Sequence, residues 1–177
     1  MSGTEAPPAK RPAPPRPMTM LRALLGARTV EQFVVEIPDE TNANVWRVIY
    51  PDATFLEPSY NLFDDLQVFT SDYRCVELEL IFPENYPRAP PFARVVRPRF
   101  IPRTGHVTNG GTICTEMLMA DKWDPQMSGD ALLVALHCTL VDGKGRIDKH
   151  RRDPYDYAEA KADRARIARD HGWTVPK

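Results

Sequence analysis

The chain has no apolar run approaching the roughly 18 residues that a membrane span needs, so no membrane partner is expected. Its first residues lack the apolar stretch of a secretory leader, and no secretory signal is expected either. An excess of charge is also missing. Lys and Arg number 23 against 24 Asp and Glu, a net charge of -1 with a pI near 6.4. No basic field therefore calls for nucleic acid, and none is expected as a partner. Cysteine is scarce: Cys75, Cys114 and Cys138 are an odd set without paired spacing. That count excludes a disulfide scaffold and a four-cysteine zinc site, and it suits a reducing compartment. The cytoplasm is the expected location, with the nucleus also open to the protein. No internal repeat is visible.

What remains is ordinary globular composition with one anomaly. Apolar residues make up 42% and charged residues 27% of 177 positions, enough for one domain with its own core. Proline is the anomaly, with 18 residues, six of them at Pro7, Pro8, Pro12, Pro14, Pro15 and Pro17. Residues 1–17 should therefore be a disordered, polyproline-like tail, and residues 18–177 the core domain.

Thr19 is placed to cap a helix running to Ala27, with Leu21, Leu24 and Leu25 on one face. Four strand candidates follow, at Gln32–Ile37, Val45–Tyr50, Tyr73–Phe82 and Phe92–Val96. In the third, Val76, Leu78 and Leu80 alternate with Cys75, Glu77 and Glu79, the pattern of a strand with one buried face. The connections are too short for crossover helices, so an antiparallel meander is predicted. Residues 51–67 read as polar turns, and residues 97–126 as a long irregular loop of the kind usually kept for function. Ser128 should cap a buried helix over 129–141, ended by Gly143. The run 149–152 reads as solvated loop. Asp153-Pro154 should open a last helix that runs to His171 and closes at Gly172, with Ala158, Ala162, Ala165 and Ile167 as its packing face. The predicted fold class is α+β, a helix, a four-stranded meander, a long loop and C-terminal helices.

Among the cysteines, Cys138 falls in the buried helix and reads as a small core residue. Cys75 reads as surface or half-buried filler on a strand. Cys114 stands apart, in the loop Gly105–Leu118 directly after Gly110-Gly111, and is the candidate reactive thiol. His106 and Asn109 are the nearest groups that could assist it. His106 and Cys114, eight residues apart, lack the further ligands a metal site would need.

Three stretches then fall into a pattern. Tyr86-Pro87-Arg88-Ala89-Pro90-Pro91 ends a strand region, Gly111-Thr112-Ile113-Cys114 follows, and Trp123-Asp124-Pro125 comes nine residues later. This resembles the ubiquitin-conjugating enzyme family. Pro90–Val96, Gly110–Leu118, Thr139–Lys144 and His171-Gly172-Trp173 are similar to the Q branch of that family. The resemblance spans about residues 19–177 and implies the same α+β fold. It implies that Cys114 accepts ubiquitin, or a ubiquitin-like modifier, as a thioester from an activating enzyme. An amine, usually a lysine, then takes the modifier, with or without a ubiquitin ligase. It implies no cofactor. The other function it leaves open is an inactive variant of the fold that serves as a ubiquitin-binding scaffold.

The resemblance has departures. Most of the family carries His-Pro-Asn before the cysteine, with the Asn amide serving the oxyanion, and this chain has no such motif. Counting back from Cys114, the Asn position falls on His106. His106 and Asn109 are the candidate donors, with His106 at the expected distance and backbone N–H groups near Gly110-Gly111 as the fallback. Glu116 takes the place of an acidic residue that the family holds near the incoming lysine, with Asp142 and Asp148 ranked below it. Arg88 replaces an aromatic of the usual ligase surface.

Overall fold

The computed structural model describes residues 16–56, 61–69 and 74–172. The expected tail lies outside them as far as residue 15, and so does Trp173. Helix α1 spans Arg16–Ala27, starting three residues before the expected Thr19. Its buried side is Met20, Ala23 and Ala27, with Leu24 partly covered, while Leu21 and Leu25 are exposed. The small residues win that side because α1 lies close against the first turn of helix α3 (Gly129–Asp142). A leucine there would not fit between the two backbones.

Strands β1 (Val34–Glu36), β2 (Val45–Pro51), β3 (Cys75–Ile81) and β4 (Phe92–Arg97) form the antiparallel meander in chain order. Val48 faces Leu78, and Leu78 faces Val95, so the apolar positions align across the sheet. Trp46, Val48, Tyr50, Val76, Leu78 and Leu80 are fully buried on this inner face. Leu132, Leu133, Leu136 and Leu140 of α3 cover it, and the Tyr50 hydroxyl donates to the Leu133 carbonyl at 2.7 Å. On the outer face, the Glu77 carboxylate receives Arg47 Nε and Arg97 Nε, each at 2.7 Å. Burial alone would raise the Glu77 carboxyl, but the two guanidiniums bring it below its ordinary range.

The structure corrects several expectations. Helix α3 is not buried all round: Val134 and Cys138 face outward, so Cys138 is an exposed thiol and not a core residue. Ser128 sits at its N-cap position without a capping bond from its side chain. The stretch expected as polar turns contains a 3-10 turn, Asp52–Phe55, and helix α2, Asn61–Phe69. Leu62, Leu66 and Phe69 are its buried stripe. Asp65 on α2 is 2% exposed and accepts from Arg146 Nε at 2.7 Å, the Ile147 N–H at 3.0 Å and Lys149 Nζ at 3.1 Å. Burial pushes its carboxyl upward, and these donors overcome the push.

Helix α4 spans Tyr157–His171 and is closed by Gly172, as expected at that end. Its cap is Asp156, not Asp153. The Asp156 carboxylate accepts the Ala158 and Glu159 N–H groups at 2.6 and 3.4 Å. Asp153 and Pro154 instead hold the buried Arg99, whose guanidinium lies 4.5 Å over the Tyr155 ring and also reaches Glu159. The buried alanines of α4 are Ala160 and Ala168, while Ala158, Ala162 and Ala165 are not among its buried residues. Among the described residues, no helix is long and apolar enough to cross a membrane.

Candidate active site

Cys114 stands at the end of a small hairpin, where an irregular loop was expected. The Thr108 N–H donates to the Thr112 carbonyl at 2.9 Å, and the Cys114 N–H to the His106 carbonyl at 2.8 Å. Val107 and Ile113 form the antiparallel bridge between these bonds, and both are buried in the core. His106 therefore lies directly across the ladder from Cys114. Asn109-Gly110-Gly111 makes the turn. The outgoing arm joins the sheet: the Ile113 N–H donates to Ala93, and the Val95 N–H to Gly111, at 3.1 and 2.8 Å.

Helix α4 holds the turn from the other side. The Gly110 N–H donates to Asp163 Oδ2 at 2.6 Å, and the Thr112 hydroxyl to the Ala160 carbonyl at 2.7 Å. A Cβ on Gly110 would come within 2.5 Å of the Glu159 carbonyl oxygen. Gly111 has a φ of 94°, and a Cβ there would lie 2.6 Å from the Tyr155 ring. Close approach requires the first glycine, and backbone conformation the second. Burial would raise the Asp163 carboxyl, but the Gly110 N–H, the Thr108 hydroxyl and Arg166 hold it below its ordinary range. Arg166 is paired with Asp163 at 3.1 Å and with Asp170 at 3.4 Å.

Between the hairpin and α4 runs a groove of about 400 Å³, lined in part by Arg103, His106, Asn109, Cys114, Arg166 and Ile167. The structure thus brings together Cys114, His106 and Asn109. It does not bring Glu116 with them. That residue opens the 3-10 turn Glu116–Leu118, outside the lining, and Asp142 and Asp148 are outside it too. Cys114 is half-buried, and burial pushes its thiol above the ordinary value. The fallback donors near Gly110-Gly111 are already used. The N–H groups of Gly110, Gly111, Thr112, Ile113 and Cys114 bond to the Asp163 carboxylate, the Thr108 carbonyl, the Thr108 hydroxyl, and the Ala93 and His106 carbonyls respectively.

The Trp-x-Pro stretch closes the site on its other flank. Trp123 is buried, and its indole N–H donates to the Pro87 carbonyl at 2.7 Å, with the ring against Tyr86. Arg88, next to Pro87, is exposed. Cys75 is half-buried on β3, away from the groove. His137 stacks on Phe55 at 4.6 Å and is not in the groove. Among the described residues, no three His, Cys, Asp or Glu side chains gather as metal ligands would. Arg103, Asp163 and Arg166 were not singled out by the sequence. Nothing local could have found the last two, because the hairpin they serve lies some fifty residues away.

A sequence model of the family described as "Ubiquitin-conjugating enzyme" matches residues 72–162. A human Q-like ubiquitin-conjugating enzyme, "E2 Q-like protein 1", is 30% identical over 157 residues, covering 85% of this chain and 92% of that protein. Mouse "Ubiquitin-conjugating enzyme E2 Q1" is 31% identical over 123 residues, 65% of this chain and 28% of that protein. Of solved structures, human ubiquitin-conjugating enzyme E2 G1 aligns with a TM-score of 0.53 at 19% identity, covering 71% of this chain and 93% of that one. A Plasmodium falciparum ubiquitin-conjugating enzyme E2 aligns at 0.51 and 20% identity, covering 69% and 95%. At those identities, the structural likeness speaks for the fold.

Proposed function

The chain belongs to the ubiquitin-conjugating enzyme family, and from that premise we propose that Cys114 is the thiol that carries the modifier as a thioester. The observation that supports this reading is the hairpin, which sets Cys114 opposite His106 at the edge of a groove. Cys75 and Cys138 have no such setting. The Cys114 thiolate attacks the thioester carbonyl presented by an activating enzyme, whose own thiolate leaves. An acceptor amine then attacks the new thioester, Cys114 leaves as thiolate, and the amine gives up a proton.

Charge builds on the carbonyl oxygen in both steps. With the nearby backbone donors occupied, His106 is the side chain assigned to that oxygen, and Asn109 the second candidate. Glu116 is assigned a rim role, drawing the amine toward the groove. Its replacement by Gln should slow discharge less than loss of the donor.

The test is incubation with activating enzyme, ATP and ubiquitin, read on a non-reducing gel and repeated with other modifiers. Wild type should form an adduct that thiol removes. Cys114→Ser should form none that thiol removes, while Cys75→Ser and Cys138→Ser load normally. A thiol-labile adduct on Cys114→Ser would sink the assignment. No adduct on the wild type with any modifier would favour the scaffold reading instead.

A further inference from the structure

The groove beside Cys114 has two guanidiniums in its walls and no carboxylate. Its other lining residues, His106, Val107, Thr108, Asn109, Gly143 and Ile167, bring no negative charge either. Arg103 is exposed and lines one wall. It sits in a tied turn: the Thr104 N–H and hydroxyl both bond to the Ile101 carbonyl, and the Gly105 N–H to the Gly143 carbonyl at 2.8 Å. No ion pair engages Arg103 among the described residues. Arg166 lines the α4 wall, where Asp163 and Asp170 tether its guanidinium and offset part of its charge. The Asp163 carboxylate is itself fixed by the Gly110 N–H, so the tether is anchored to the hairpin that bears Cys114.

An incoming ammonium group meets like charge here and finds no acid in the lining to orient it. A segment that brings its own carboxylate beside the reacting group meets the opposite case. Its acid can pair with Arg103, bidentate geometry being available to a guanidinium, and the reacting group is then drawn to Cys114. Resting on the function proposed above, we propose that this groove is the acceptor site and that Arg103, with Arg166, selects peptide segments carrying an acidic residue next to the acceptor. Arg103 is the principal reader because its charge is unshared. Discrimination arises from both attraction of acidic neighbours and repulsion of basic ones.

The test needs no modifier and no activating enzyme, so it stands apart from the loading gel. The full chain carries Cys75→Ser and Cys138→Ser, leaving Cys114 as its single thiol. Three peptides carry a cysteine in place of the acceptor lysine, activated as a 2-thiopyridyl disulfide, with Glu, Gln or Lys as the neighbouring residue. The Cys114 thiolate attacks the peptide sulfur, the old S–S bond breaks, and 2-thiopyridone leaves and is read by absorbance. Each rate is divided by the rate with neutral dithiodipyridine, which removes changes in thiol reactivity itself. The expected order is Glu, then Gln, then Lys, with about threefold to fivefold between the extremes at low salt, the size of an exposed ion pair. The order should flatten near about 0.5 M salt, where screening is nearly complete. Arg103→Glu should reverse it, and Arg166→Gln should shrink it. Equal rates for the three peptides would overturn the proposal, and so would an order unchanged by Arg103→Glu. Failure to load with a preserved peptide order would count against the thioester reading and leave the acidic-peptide site standing.

Discussion

Between the sheet and α3 the contacts are apolar: Trp46, Val48, Leu78 and Leu80 against Leu132, Leu133, Leu136 and Leu140, all essentially without exposure. Between the cysteine hairpin and α4 the contacts are mostly directed polar bonds, from the Gly110 N–H to Asp163 and from the Thr112 hydroxyl to Ala160, and the residues α4 itself buries are two alanines. Burial is strong but indifferent to direction, and it tolerates reshaping. Hydrogen bonds add less net stability and fix position closely. The first region therefore governs whether the chain folds, and the second governs where Cys114 and its groove stand.

Substitutions can break this division, beginning with the largest expected change. Leu136→Ala, in the centre of α3, should cost about 4 kcal/mol through lost burial and a residual cavity. The urea midpoint should fall, while the fraction of Cys114 that loads, measured where the variant is still folded, should not. His106→Ala should do the reverse. Single-turnover discharge to lysine should slow about a hundredfold, close to 3 kcal/mol, with an unchanged melting temperature. Near-normal discharge there, with a loss in Asn109→Ala, would move the donor role across the turn.

Asp163→Ala tests the seam between the regions. It leaves a buried N–H on Gly110 unpaired, a cost of about 2 kcal/mol, and it should also slow discharge in protein that loads. Because the folded Asp163 carboxyl lies below its ordinary range, its contribution is complete above that range. It is lost as acid takes the pH down through the lowered value, so wild type and variant should converge in acid. A gap that persists there would assign the effect to packing. The smallest effect concerns the thiol. Burial raises Cys114, so its alkylation by iodoacetamide should climb about tenfold per pH unit and continue past about 8.5, where an ordinary cysteine levels off. Levelling at or below that pH would mean that a nearby positive charge outweighs burial.

The same division explains what could be read in advance. Strands β2, β3 and β4 and helix α3 follow from period and punctuation, because burial selects residue type at regular spacing. Helix α2 is hidden by its own chemistry. Its apolar spacing at Leu62, Leu66 and Phe69 is interrupted by Asp65, a charge that is buried only because Arg146 and Lys149 arrive from eighty residues away. The hairpin does carry a local signal: Asn109-Gly110 between Val107-Thr108 and Thr112-Ile113 favours a tight turn. The start of α4 is misleading because Asp153-Pro154 resembles a helix opening, whereas Asp156 with Glu159 three residues on is the capping pair in use. Of the site, Cys114, His106 and Asn109 are within reach because they share one short stretch. Arg103 and Arg166 gain meaning only when the fold places them in one groove.

The bond from Gly110 to Asp163 also sets a schedule. A chain made from its N-terminus has the whole meander and α3 in hand before the first residue of α4 exists. During that interval Cys114 can be present in a folded sheet and still lack the wall against which its turn is held. Competence is thus deferred to nearly the last stretch synthesised, and a nascent chain stalled before residue 156 would be a folded body with an unfinished groove.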